Sequence, residues 1–411
     1  MAVIKVGNNS VGKISVIEPY DNPLTNPTST PRLDTSTDRP SGWLEMPPLQ
    51  DGVVDILTYV PSGNKDFGVG LFARNGVYNN CPTHISIDWG DGHSGLFYGT
   101  RSDNGNYAGN FGTQHKKYDY DLLPENTEIE VGGFPCRQVI IKIDGSASGI
   151  THLNLGRFGG DNFGNTADYG EDNHYYDENN NKVYESPRDN NANNSQTSPL
   201  LEVAVSGSNI DDVWIAHSNN SYGVNRLLRS AILNVKSFNP YLKFAECNNL
   251  VHVDFPSGVT TGKTDFYQMF SVCTKLKSIP FFDTSSATGL YHTFSNCHSM
   301  ESFPAIDTSN VTNFQGTFHR CLSLEVVPDI DFSNGTNFHS TFSYNHALKS
   351  FSSGVDFSSA TGCNSMFYYN HNLEGVPEFY APNLTDCRNM FYYCSSLKQV
   401  TVNFPNAYYV D

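Results

Sequence analysis

The chain has 411 residues, enough for two or three domains. Its formal net charge of -17, with 16% charged residues and no basic stripe, argues against broad attraction to nucleic acid. The 27 Phe and 23 Tyr, abundant Gly, Asn, Ser and Thr, and lack of a long helical pattern point to β structure with many turns. No apolar run reaches the roughly 18 residues that span a bilayer, so no membrane insertion is expected.

Residues 1–17 hold two alternating pieces, Val3-Ile4-Lys5-Val6 and Val11-Gly12-Lys13-Ile14-Ser15-Val16-Ile17. They read as a hairpin, as an arm that adds strands to a partner, or as a frayed terminus. Residues 1–16 carry no charged-then-apolar signal pattern. Residues 18–42 contain Pro19, Pro23, Pro27, Pro31 and Pro40 among polar residues. Proline removes backbone donors and favours extended chain, so residues 1–42 are expected to be an arm and linker.

Residues 43–150 contain strand-like runs, including residues 53–60 and 138–143. Residues 84–89 alternate and then meet Gly90-Asp91-Gly92, which tolerates positive φ and predicts a tight turn. His115-Lys116-Lys117-Tyr118-Asp119-Tyr120 predicts another short strand. A strand ending in Trp89-Gly90-Asp91-Gly92, followed by His-x-x-Tyr, resembles a PKD-type immunoglobulin-like sandwich of about 100 residues. That resemblance implies a structural turn, with no catalytic role for Asp88 or Asp91; a calcium site there is the alternative.

Residues 151–243 read as degenerate early coils interrupted by a long Asn/Asp-rich insertion. Thr151-His152-Leu153-Asn154-Leu155 predicts a strand, as do residues 201–205 and 231–235. Tyr175 to Tyr184 predicts an exposed hairpin. Asp177, Asn179, Asn181 and Glu185 approximate a calcium-loop spacing, but Lys182 stands where the turn glycine belongs and Arg188 where the final Glu belongs. A plain hairpin is the preferred reading, and the insertion is a candidate partner contact.

The strongest pattern occupies residues 244–411. Phe244, Phe270, Phe294, Phe318, Phe342, Phe367 and Phe391 are separated by 26, 24, 24, 24, 25 and 24 residues. Three residues after each stand Cys247, Cys273, Cys297, Cys321, Asn345, Asn370 and Cys394; six after stand Leu or Met300. A fixed period of this length predicts a solenoid, with one short strand per coil and internal Phe, Cys and Leu ladders. Asn345 and Asn370 are expected to hydrogen-bond along the stack. The repeated cysteines, five of the chain's nine, read as small buried apolar residues rather than a disulfide framework. Tyr408-Tyr409-Val410-Asp411 is expected to cap the last coil.

Phe-x-x-Cys-x-x-Leu followed by Pro280, Pro304, Pro328 and Pro377, and by Asp-x-Ser, resembles the BspA-like leucine-rich repeats also found in mycoplasma surface lipoproteins. The coil after Phe342 departs from it, with Ser352 at the proline position. The whole arrangement, including Arg39-Pro40-Ser41-Gly42-Trp43-Leu44, resembles virion proteins of marine tailed phages. That resemblance implies a fibre, capsid-decoration or host-contact role.

Asp283, Asp307, Asp331 and Asp356 form a candidate carboxylate ladder for glycoside hydrolysis, which requires two carboxylates facing one groove. Their repetition favours turn closure instead. The histidines His292, His298, His319, His339, His346 and His371 sit at varied offsets, describe no metal-ligand pattern and read mostly as surface residues. Tyr368, Tyr369, Tyr392 and Tyr393 are candidate glycan or partner contacts, with one of each pair expected to pack inward as on a strand. Tyr175 and Tyr176 are candidates on the hairpin.

The expected fold is all-β: an immunoglobulin-like sandwich followed by a leucine-rich-repeat-type solenoid. The expected role is a non-enzymatic virion structural protein, without cofactor, catalytic residue or metal, forming homo-oligomers. Its partners would be other virion proteins, through the N-terminal arm, and a host-surface glycan or protein. It would be made in the host cytoplasm and released by lysis. A bacterial BspA-like adhesin and a glycan-processing fibre enzyme are the alternatives.

Overall fold

A computed structural model describes residues 39–63, 67–74, 84–98, 110–131, 133–146, 150–155, 174–176, 182–184, 200–210, 212–215, 227–237, 244–327, 330–351, 355–398 and 400–407. The expected N-terminal arm, the calcium-like positions Asp177, Asn179, Asn181 and Glu185, and the expected cap at residues 408–411 lie outside the described residues.

The chain is mostly β, with three short 3-10 turns among the described residues. The strands are β1 (Val53–Pro61), β2 (Phe67–Arg74), β3 (His84–Asp88), β4 (Ser94–Tyr98), β5 (Asn110–Tyr118), β6 (Glu128–Val131) and β7 (Phe134–Asp144). They continue with β8 (His152–Asn154), β9 (His174–Tyr176), β10 (Lys182–Tyr184), β11 (Leu200–Gly207), β12 (Asp212–Trp214), β13 (Ser230–Val235) and β14 (His252–Asp254). One sheet runs β14-β13-β11-β1-β7-β3-β4, with β6 on β7; a second runs β12-β8-β2-β5. Both sheets contribute to one apolar core that includes Val54, Ile56, Ile85, Ile87, Ile141, Leu153, Val203 and Val213.

The Trp-Gly-Asp-Gly turn joins β3 to β4. Asp88 accepts the Gly90 amide at 2.9 Å and Asp91 accepts the His93 amide at 3.1 Å. Tyr118, from the downstream strand, donates its hydroxyl to the Trp89 carbonyl at 2.7 Å, and Lys116 pairs with Asp91 at 2.8 Å. Gly90 has φ +75°, and a Cβ there would lie 2.4 Å from the Ile140 carbonyl oxygen. Backbone conformation and close approach therefore both require glycine.

Sandwich and solenoid share their sheets. β1 pairs antiparallel with β7 on one side and β11 on the other. From β11 onward the order is parallel, β11 to β13 to β14, while β8 pairs parallel with β12 in the second sheet. The first coils are thus laid directly on the sandwich, and hydrogen bonding crosses the expected boundary between residues 150 and 151. The last residues of the expected linker are also docked. Arg39 donates through Nε and Nη2 to Glu202 at 3.1 and 2.9 Å, while Gln138 bonds the Leu44 amide and the Gly42 carbonyl, both at 2.9 Å.

Beyond β14 the coils stack as a solenoid of about seven turns. Successive marker rings lie 5.4, 5.9, 5.8, 5.5, 5.8 and 5.4 Å apart, with interplanar angles between 4° and 16°. Phe244 to Phe367 are fully buried, each stabilising the stack by about 1.5–3 kcal/mol.

The strand expected in every coil is replaced on the ladder side by turn-rich backbone. Single parallel bridges link Asp265, Gly289, Asn313, Asn337, Gly362 and Asp386 in series. Amides at alternate residues then donate to the next coil: Phe294 to Thr317 and Asn296 to His319, for example, at 3.0 and 2.7 Å. From Phe270 to Phe391 the residues two before and two after each marker adopt left-handed φ, as at His292 (53°) and Asn296 (61°) around Phe294. Among the described residues, extended ladders survive only as the parallel pairs β15 (Val326–Val327) with β16 (Ser350–Phe351), and β17 (Phe379–Tyr380) with β18 (Val402–Asn403).

Candidate contact surface on the solenoid

The repeated thiols serve the stack. Cys273, Cys297, Cys321 and Cys394 each direct Sγ to the marker carbonyl of the preceding coil, at 3.0–3.3 Å. Burial pushes the Cys297 thiol up to about 12 and raises Cys247, Cys273, Cys321 and Cys363 as well. Thiolate, the nucleophilic form, is suppressed there. Asn370 extends the same interaction. Its Nδ2 donates to the Phe342 carbonyl at 2.9 Å, while its Oδ1 accepts the Asn345 amide at 2.7 Å. Asn345 Oδ1 in turn accepts the Cys321 amide at 2.8 Å.

The aspartate ladder closes turns. Asp283 Oδ1 accepts the Ser285 amide and hydroxyl at 3.0 and 2.7 Å, and Asp307 does the same with Ser309. Asp331 accepts the Ser333 amide at 2.9 Å and Asp356 the Ser358 amide at 2.8 Å. The hydroxyl and amide of Ser333 hold the Asp331 carboxyl below its ordinary range. These carboxylates act as turn caps.

The histidines are only partly at the surface. His346 is exposed, whereas His292, His298, His319, His339 and His371 are half-buried. Burial, aided by the neighbouring Arg320 guanidinium, pushes His319 down to about 4, and its Nδ1 lies 2.6 Å from the Ser343 hydroxyl.

The tyrosines form the one broad aromatic face among the described residues. Tyr368 and Tyr369 both point outward, with ring centroids 4.6 Å apart; Tyr392 and Tyr393 do the same at 4.5 Å. The expectation that one of each pair packs inward is corrected. It assumed a strand, but Tyr369 and Tyr393 have φ 62° and 60°, and the left-handed residue turns its side chain to the same face as its neighbour. Tyr344 stacks on Tyr369 at 5.1 Å, Tyr369 lies 4.4 Å from Tyr393, and Tyr368 stacks on Tyr392 at 5.4 Å. His371 lies 5.5 Å from both Tyr369 and His346. The Arg320 guanidinium sits 4.9 Å above the Tyr344 ring.

Tyr344 and Arg320 were missed from the sequence, although Tyr344 holds the same place after its marker as Tyr369 and Tyr393; His371 was read there with the other histidines, mostly as surface residues. Tyr175 and Tyr176 fall in β9, which pairs antiparallel with β10 as the predicted hairpin requires. Their side chains lie outside the described residues.

Residues 264–404 match a family described as Mycoplasma protein of unknown function, DUF285. The solenoid is similar to that family. The match spans the six coils from Phe270 to Phe391, and with the coil length of about 24 residues it fits a BspA-like repeat protein. No curated protein and no solved structure matches the chain. Among the described residues no helix is long and apolar enough to cross a membrane.

Proposed function

We propose that this chain is a non-enzymatic structural protein of a bacteriophage particle, a decoration or fibre component whose solenoid meets the host surface. One observation carries the scaffold part of this reading. The repeated reactive side chains of the solenoid are engaged in its own backbone: thiols on the carbonyls of the preceding coil, aspartates on turn amides within a coil, Asn370 between two coils. The outward tyrosines remain for contact. The phage assignment rests on the resemblance of the whole arrangement to virion proteins of marine tailed phages. Other virion proteins would be its partners inside the particle, and repeated copies follow from particle symmetry.

The test is mass spectrometry and immunogold labelling of purified particles. The chain is expected in intact virions at a fixed copy number per particle, and its absence from them removes the reading.

A second reading, a bacterial surface adhesin, is favoured by the similarity of residues 264–404 to Mycoplasma proteins. It keeps the contact role and moves the chain to a cell surface. Labelling of intact producing cells in the absence of phage would support it. The glycan-processing alternative predicts shortened products when the chain is incubated with host polysaccharide; the turn-bound aspartates oppose it.

A further inference from the structure

We infer that the tyrosine face of the last three described coils is a binding site for a neutral oligosaccharide. This rests on the surface-contact role proposed above and names its ligand class.

The fold does not demand tyrosine at these places. Equivalent positions in the earlier coils carry Ser271 and Val272, Ser295 and Asn296, and His319 and Arg320, and those coils stack equally well. Tyrosine is also costly at the second position. Tyr344, Tyr369 and Tyr393 have φ 60°, 62° and 60°, a region that bulky side chains rarely adopt. An aromatic residue set three times in strained backbone, where the stack has no use for it, points to a role outside the stack.

The rings are ordered before any ligand arrives. Each is held by two or three others at 4.4–5.4 Å, so little rotamer freedom remains to be lost on binding. Stacking along the solenoid axis leaves ring edges and hydroxyls at the surface. Among the described tyrosines of this face, only the last pair is exposed. Tyr392 and Tyr393 are 50% and 51% exposed, lie at 84° to one another, and are covered by other described rings on one side only. They form a corner into which the C–H face of a sugar ring fits, while His371 and the tyrosine hydroxyls line the surface beside it.

The electrostatics select a neutral ligand. Partial desolvation, with His371 and Arg320 nearby, holds the exposed His346 below its ordinary value and disfavours its charged form. Lys349 pairs with Glu325 and Lys398 with Glu374 between coils, and the Arg320 guanidinium is engaged over the Tyr344 ring. A chain of net charge -17 repels nucleic acid and acidic glycans. A proline-rich peptide docks in an aromatic-lined groove, and rings packed this closely leave no slot between them.

The test uses the full chain on an array of neutral and acidic glycans, with heparin and a polyproline peptide as competitors. Hits are followed by calorimetry. At least one neutral glycan is expected to bind, Tyr393→Ala to weaken it by up to about tenfold, and Tyr267→Ala to leave it unchanged. Tyr267 stacks on Tyr291 at 5.1 Å, five coils before Tyr393, and serves as the control. Melting temperature separates lost binding from lost folding. Absence of neutral-glycan binding, equal loss in both variants, or binding of heparin or peptide instead overturns the site. A chain that binds sugar yet is missing from particles defeats only the virion reading; a chain present in particles that binds no sugar defeats only this one.

Discussion

Replacing Asn370 by alanine tests the internal ladder where it is most specific. Asn370 is fully buried and makes two hydrogen bonds that join its coil to the preceding one. Truncation leaves the Asn345 amide and the Phe342 carbonyl buried without those partners. An orphaned buried polar group costs about 1–3 kcal/mol, so the pair predicts a loss of about 2–6 kcal/mol. For an array of this size each kcal/mol lowers the melting temperature by about 2–4 °C. Asn370→Cys separates the two bonds. A thiol can still reach the Phe342 carbonyl, as Cys394 reaches Phe367 at 3.0 Å, but it cannot accept the Asn345 amide. Its loss is expected to be about half that of alanine. Urea denaturation followed by circular dichroism gives both values. A change below about 0.5 kcal/mol for Asn370→Ala, the ordinary range for surface positions, refutes the reasoning.

Three further outcomes follow from named positions. Val272→Asn is expected to stabilise the solenoid by about 1 kcal/mol in denaturant titration, because a β-branched residue at φ 63° gives way to one that tolerates that backbone; destabilisation would show that the valine methyl groups matter more than the strain. Gly90→Ala should lower the melting temperature, since its Cβ would meet the Ile140 carbonyl oxygen at 2.4 Å; an unchanged midpoint would show the turn to be plastic. Burial raises Asp55 from 3.8 to about 6, opposed by Lys142, and its Oδ1 has no hydrogen-bond partner. The folded state therefore holds this proton more tightly than the unfolded chain does. Stability from this group is present at low pH and is lost as pH rises from about 4 through 6, which is worth about 3 kcal/mol. Asp55→Asn should remove that loss and stabilise the protein at pH 8, and an unchanged difference between pH 5 and pH 8 would contradict the assignment.

The solenoid was legible because its signal is periodic and its chemistry local. Phe294, Cys297 and Met300 recur at fixed offsets, and a unit too short to bury its own phenylalanine must stack. The turn at Trp89-Gly90-Asp91-Gly92 was legible for a similar reason, since glycine and aspartate announce positive φ. The backbone around each marker was not. His292, Asn296, Tyr369 and Tyr393 adopt left-handed φ although none is glycine, because the inter-coil hydrogen bonds offset a local cost that sequence preference alone records. That error carried into the surface, where strand alternation assigned Tyr368 and Tyr369 to opposite faces. The joining of sandwich to solenoid also escaped notice. The pairing of β1 with β11 unites residues about 150 positions apart, and no local pattern encodes such a contact. Arg39 lay in a proline-rich stretch that reads as linker, and its partner Glu202 lies 163 residues away.

Hydrogen exchange at the marker amides tests the stack most directly. The amides of Phe270, Phe294, Phe318, Phe342 and Phe367 each donate to the following coil, whereas among the described residues that of Phe391 finds no acceptor. Strong protection of the first five, rising and falling together as the array opens, with rapid exchange at Phe391, is the expected result. Rapid exchange at Phe294, Phe318 and Phe342, or equal protection at all six, would contradict a ladder of coils bonded in series.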